Sequence, residues 1–332
     1  MSSLQIFWFV LIGVLFSGFF FLDGFDFGVG MSVQTLAHNE SEKDQIVSTI
    51  GPVWDGNEVW LITAGGALFA SFPYWYASLF SGYYLILLII LFGLIIRGVS
   101  FEFRHRVPAS KKYIWNWTLA IGSFIVPFFF GILFISMIHG MPLDANGNMR
   151  ATFGSYINVF SVVGGIALTL LCYLHGLNYI ALKTVGDIRD RAKNYAQFLY
   201  WVLYAGLVLF AILMFFMTDF FTKHLVSTLV LLAVIVILTI IANVGVFTNH
   251  EKLSFYTSGL SLVALVALLF TGLFPRVMIS SINPCYDLLI KNASSTPYTL
   301  KVMSFIAIGF LPFVLGYIAW TYYIFRKRIT NK

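Results

Sequence analysis

Eight stretches of this chain are each long and apolar enough to cross a hydrocarbon layer, and no other feature restricts its fold so strongly. They run at about 4–36, 76–101, 115–137, 157–181, 199–217, 225–247, 256–275 and 302–325. A membrane-crossing helix needs roughly 20 mostly apolar residues. Hydrocarbon offers the backbone no hydrogen-bond partner, so such segments close their bonds internally as helices. A ninth stretch, about 53–72, is weaker because Asp55 and Glu58 lie near its start. Only 10% of the 332 residues are charged and 59% are hydrophobic, whereas a soluble domain carries roughly 25% charged residues. The expected fold class is an all-α integral membrane protein of about nine transmembrane helices, with 53–72 either spanning or re-entrant.

The distribution of basic residues orients the helices. With nine spans and an outer N-terminus, loops 38–52, 102–114, 182–198 and 248–255 and the tail 326–332 share one side. That side holds 14 of the 20 Lys and Arg residues: Lys43, Arg104, Arg106, Lys111, Lys112, Lys183, Arg189, Arg191, Lys193, Lys252, Arg326, Lys327, Arg328 and Lys332. The other holds five, Arg150, Lys223, Arg276, Lys291 and Lys301, and Arg97 is left inside the third span. Positive charge collects on cytoplasmic loops, so the C-terminus is expected in the cytoplasm. Eight spans with an inner N-terminus give the later loops the same sides.

The net charge of +6 does not point to nucleic acid, since no basic run is interleaved with aromatics. Cys172 and Cys285 fit no metal or redox spacing and read as unpaired thiols. The apolar run from Leu4 has no basic residue before it and is too long for a signal peptide, so it reads as a retained first helix. The 35 Phe residues suit a lipid-facing surface. Loops 138–156 and 276–301 are the longest, and Pro284 and Pro297 make the second an ordered cap.

Ionisable groups inside a membrane are costly, by roughly 2.5–3.5 kcal/mol on insertion scales, and here they cluster. Asp23 and Asp26, three residues apart, share one face of the first helix. Gly24 and Gly28 form a small-xxx-small pattern that allows another helix to approach closely. Asp55 and Glu58 follow Pro52 and Trp54 at the start of the second segment. One reading makes these two acids a favourable helix start and Trp54 and Trp60 interfacial aromatics. The other makes them functional. Arg97 cannot lose its charge, so its burial demands a carboxylate partner. The nine-span topology brings Asp23, Asp26, Asp55, Glu58 and Arg97 to one depth near the inner face. Such carboxylates suit proton uptake; an ion-pair cluster that only braces three helices is the alternative. Asp55 leans to conduction and Arg97 to structure.

A haem in a helix bundle usually needs an inward axial His or Met. Of His38, His105, His139, His175, His224 and His250, only His175 lies within a span. It reads more readily as a satisfied histidine than as a haem ligand. No Cys/His cluster offers a metal site. Any redox chemistry is therefore expected to lie mostly in a partner.

The run Gly24-Phe25-Asp26-Phe27-Gly28-Val29-Gly30-Met31 resembles the first-helix signature of subunit II of cytochrome bd ubiquinol or menaquinol oxidases. The block from Trp54-Asp55-Gly56-Asn57-Glu58 to Gly65-Gly66 and Ala70 is similarly specific, and the match continues through Phe80-Ser81-Gly82 to Arg97-Gly98 and Arg104. His175-Gly176, Leu182-Lys183-Thr184, Asn292 to Lys301 and Trp320 to Arg326 extend it, while 195–255 match only in hydropathy. The resemblance implies a single polytopic membrane domain over 1–332. Its first four-helix bundle would span roughly 1–140 and its second roughly 150–332, with one peripheral helix. It implies a haem-poor core subunit paired with a subunit I that carries two haems b, one haem d and the quinol site. That complex oxidises quinol and reduces dioxygen to water in the bacterial cell membrane. Asp55, with Trp54 beside it, matches a family position at the subunit interface assigned to proton uptake. A structural quinone and a small single-helix subunit occur in some relatives, and sequence places neither here. Cys285 and Asp287 depart from the pattern, away from the proton route.

Two rivals remain. A secondary transporter predicts paired broken helices with polar groups in both halves, yet the charges here gather in the first three spans. A purely structural oxidase subunit predicts that replacing Asp55 leaves turnover unchanged.

Overall fold

The computed structural model describes residues 1–329; Lys332, counted above with the inner tail, lies outside them. Ser2 caps the first helix, its side chain accepting from the Gln5 amide while Gln5 returns the bond. From there α1 runs over Ser3–Thr35, followed by α2 (Glu40–Ile50), α3 (Trp54–Ser71), α4 (Pro73–Gly82) and α5 (Tyr84–Arg104). Next come α6 (Lys112–His139), the single turn α7 (Phe153–Tyr156), α8 (Val159–Lys183) and α9 (Asp187–Met217). The short α10 (Phe220–Lys223) leads to α11 (Leu225–Phe247) and α12 (Glu251–Leu273). An antiparallel pair, β1 (Arg276–Met278) with β2 (Leu288–Leu289), precedes α13 (Ile290–Ala293) and the last helix, α14 (Pro297–Ile324).

Among the described residues eight helices are long and apolar enough to cross a membrane: α1, α5, α6 with the turn before it, α8, α9, α11, α12 and α14. The expected ninth segment is a helix too. Its 18 residues reach about 27 Å at 1.5 Å each, but Asp55, Asn57 and Glu58 keep its composition below the same mark. The span expected over 76–101 is two helices. Phe72 leaves the helical region ahead of Pro73, as a residue before proline tends to. Tyr83 then breaks the run again between α4 and α5. α9 starts at Asp187, well before the expected 199, because its first turns are charged rather than apolar.

α1 is the central post, packed against α3, α6, α8 and α12. Helices α1, α3, α5 and α6 form one set of four, and α8, α9, α11 and α12 another, joined where α1 and α6 meet α8. α14 stands outside both and touches α1 and α3; no residue of its apolar stretch is fully buried. Phenylalanine serves both environments. Phe19, Phe20, Phe25 and Phe27 are buried around α1, while Phe305, Phe310 and Phe313 on α14 are exposed.

The loops sort to two ends. At one end, Arg191 pairs with Glu42 at 2.7 Å, Arg189 with Glu251, and Arg104 with Asp44. At the other, Ser281 N donates to Met141 O at 2.9 Å and Ser295 N to Ser71 O at 2.8 Å. Residues 276–301 thus cap the ends of α3 and α6. Asp287 belongs to this cap, accepting from Ser280 N at 2.8 Å.

Candidate functional site

Asp23 and Asp26 lie one turn apart on α1, and both are fully buried, as is Arg97 on α5. The Arg97 fork holds Asp23 through Nη2–Oδ1 at 2.9 Å and Glu58 of α3 through Nη1–Oε1 at 2.7 Å. Asp26 Oδ2 is 3.9 Å from Nη2. One guanidinium therefore joins three helices and faces three carboxyl groups. Its open face lies 4.6 Å from the Phe27 ring centroid, a cation–π placement. A planar, delocalised cation with five donors suits such a forked contact better than a lysine.

Asn57 was part of the motif but carried no expectation. It is buried on α3, and its Nδ2 donates to Asp26 Oδ2 at 2.7 Å and to Leu22 O at 3.2 Å. Its Oδ1 accepts from the Tyr322 hydroxyl of α14 at 2.8 Å. Asp26 Oδ1 and Arg97 Nε are buried without a partner among the described residues.

Glu58 is the member nearest the outside, with 23% of its side chain exposed against none for Asp23, Asp26 and Arg97. Asp55 does not join the cluster. It is exposed in the first turn of α3, and among the described residues its carboxylate has no ion pair or hydrogen bond. Trp54 is half-buried and stacks on Phe101, centroids 4.6 Å apart and planes 21° apart. Beside Trp54, at the end where the basic loops gather, lies a cavity of about 430 Å³ lined by Ser48, Gly51, Glu102, His105 and Phe325.

A second polar network went unread in the sequence. Arg104, fully buried at the end of α5, binds Asp44 and donates from Nε to Asn116 Oδ1 at 2.5 Å. Asn116 in turn donates to Glu40 at 3.1 Å. These contacts tie α2 to α5 and α6. Partial burial pushes the Asp44 carboxyl up, but Arg104 and Lys112 outweigh it and hold the group below the usual aspartate range.

His175 is buried with both ring nitrogens engaged, Nδ1 with Ser258 Oγ at 2.8 Å and Nε2 with Phe21 O at 3.0 Å. A ring so held leaves no lone pair for iron. Among the described residues no group of three or more His, Cys, Asp or Glu is placed to hold a metal ion. An apolar cavity of about 540 Å³ lies among α1, α3, α4, α5 and α6, walled by Phe16, Gly65, Phe69, Tyr76 and Phe134. Trp75 also lines it, and its buried indole N–H has no acceptor among the described residues.

Residues 4–325 match the family model described as cytochrome bd terminal oxidase subunit II. The chain is 48% identical over 333 residues to cytochrome bd ubiquinol oxidase subunit 2 of Bacillus subtilis, covering 100% of this chain and 98% of the relative. It is 31% identical over 363 residues to cytochrome bd-I ubiquinol oxidase subunit 2 of Escherichia coli, covering 99% and 96%. A chain from the structure of bd oxidase from Geobacillus thermodenitrificans shares the fold, with a TM-score of 0.75 at 14% identity, covering 98% of this chain and 99% of that one.

Proposed function

The chain belongs to the cytochrome bd terminal oxidase subunit II family, and from that premise we propose that it holds and passes protons for the oxidase through Asp23, Asp26 and Glu58 around Arg97. It is a subunit of a membrane quinol oxidase, and so a member of an oxidoreductase complex. The observation that carries the proton role is one buried guanidinium facing three carboxyl groups, only Glu58 of which reaches the outside. A single cation and three carboxyls are electrically neutral only with two protons bound, and neutrality is what a low-dielectric site favours. Protons enter in this reading from the basic, cytoplasmic end, past Trp54 and the 430 Å³ cavity, to Glu58.

The haems belong to subunit I in this reading, as the family resemblance implies, and the two hydrogen bonds of the His175 ring agree with it. An exposed Asp55 on a membrane helix asks for a polar neighbour, and subunit I supplies it at the interface, where α14 also lies open. In this reading a structural quinone would occupy the 540 Å³ cavity, where Phe69, Tyr76 and Phe134 would hold an apolar ring. When bound, a quinone supplies carbonyl acceptors and a redox-active ring; the proton steps above use only side chains of this chain. The protein is multi-pass in the bacterial cytoplasmic membrane, its C-terminus on the cytoplasmic side. A small third subunit has no surface assigned.

The alternative, a subunit that only braces the complex, draws on the same Arg97 contacts, since they join α1, α3 and α5. Asp55→Asn and Glu58→Gln separate the two in the purified complex. Conduction predicts that quinol-dependent oxygen uptake falls at least tenfold in Glu58→Gln, and less in Asp55→Asn, with the haem spectrum intact. Wild-type turnover in both leaves the bracing role alone.

A further inference from the structure

We infer that Asn57 and Tyr322 are positioning residues for Asp26, and that they decide which of its two oxygens takes a proton. The inference rests on the proton-holding reading of the cluster and assigns a role to two residues outside it. The Asn57 amide can face only one way. Its NH₂ end meets a backbone carbonyl at 3.2 Å and a carboxylate oxygen at 2.7 Å, both acceptors. Its oxygen is therefore the end that meets Tyr322, and the hydroxyl donates to it at 2.8 Å.

The donors then run in one direction, from Tyr322 O–H to the Asn57 carbonyl and from the Asn57 N–H to Asp26 Oδ2. Hydrogen bonds in such a chain polarise one another. Asp26 Oδ2 also lies 3.9 Å from the Arg97 guanidinium. Oδ2 thus already accepts one hydrogen bond and is the oxygen near the cation, both of which favour its unprotonated form. Oδ1 is buried, with no partner among the described residues. The proton of Asp26 sits on Oδ1.

Tyr322 gives the arrangement reach. It stands on α14, whose apolar stretch has no fully buried residue, and its hydroxyl bonds into the core next to the cluster. The seating of the last helix thereby sets the geometry of a carboxyl group on the first.

The test uses the assembled oxidase. Redox-difference infrared spectra of wild type and Asp26→Asn identify the protonated-carboxyl band of Asp26 by its loss. Tyr322→Phe keeps the ring and removes the donor; Asn57→Leu removes both links and gives an independent reading should Tyr322→Phe fail to assemble. Each variant is expected to move the band, Asn57→Leu further. Tyr322→Phe is expected to slow quinol-dependent oxygen uptake about fivefold, the weight of one neutral hydrogen bond, at unchanged haem content. An unmoved band and turnover in both variants, where Asp26→Asn changes both, overturns the positioning role and leaves the proton reading standing. If Asp26→Asn itself changes neither, the proton reading fails and this inference with it.

Discussion

Gly28 on α1 and Gly176 on α8 meet backbone to backbone. A Cβ on Gly28 would stand 2.2 Å from Cys172 O and 2.7 Å from Gly176 Cα, and one on Gly176 would stand 2.4 Å from Gly28 Cα. Helices in lipid gain stability by such close approach of small residues. The crossing lies two residues beyond Asp26, so it fixes how far α1 is rotated and at what depth its acids sit. Gly28→Ala is therefore expected to cost about 1–3 kcal/mol through overpacking. A thermal melt of the purified complex checks this; an unchanged midpoint would place the crossing elsewhere.

Arg97 holds Asp23 and Glu58 at once. Arg97→Gln leaves the fully buried Asp23 and Asp26 without their cation, and removing one partner of a buried pair costs about 3–5 kcal/mol. The expected result is a collapse in yield of the intact complex. Arg97→Lys should recover part of it, since an ammonium is a point charge without the fork. Wild-type yield from Arg97→Gln would contradict the account.

The cap over 276–301 depends on pH through Asp219. Partial burial pushes its carboxyl up, but hydrogen bonds from Arg276 and Lys223 outweigh this and bring it down to about 2. An aspartate in an unfolded chain titrates near ~3.9. The folded value is the lower one, so the stabilisation is full above about pH 4 and is lost as pH falls toward about 2. Hydrogen exchange over 276–301 should show protection falling through that window. Asp219→Asn should be less protected at neutral pH and lack the fall; identical profiles would remove the pair from the stability of the cap.

Gly65 of α3 lines the 540 Å³ cavity, and a Cβ built on it meets no atom within 4 Å. Gly65→Phe places a ring in that space without a backbone clash at the Cβ. Quinone extracted per complex is expected to fall several-fold, measured by chromatography of the solvent extract. An unchanged quinone content would mean that the cavity is filled by something else, or that the quinone sits elsewhere.

The membrane fold was legible because hydrocarbon admits so few backbone solutions. The buried acids and Arg97 were legible because charge inside an apolar run needs a reason. The spacing of Asp55 and Glu58 suggested a shared role, but only Glu58 reaches Arg97. Asp55 is a turn closer to the helix end and has the shorter side chain. The break at Tyr83 was marked only by Ser81-Gly82 within a long apolar run, and the early start of α9 was hidden by its charged first turns. Tyr322 was one aromatic among many near a helix end. Its bond to Asn57, 265 residues away, follows from where α14 lies, which no local pattern records.

The central claim is that protons pass through this subunit, and proton uptake tests it most directly. The oxidase, reconstituted into vesicles with its cytoplasmic face toward a pH indicator, is followed through one turnover in wild type and Glu58→Gln. The account predicts that the variant, with its haem spectrum unchanged, takes up protons at least tenfold more slowly than wild type. Uptake at the wild-type rate and amplitude would contradict it, and would leave Asp23, Asp26, Glu58 and Arg97 as a brace between helices.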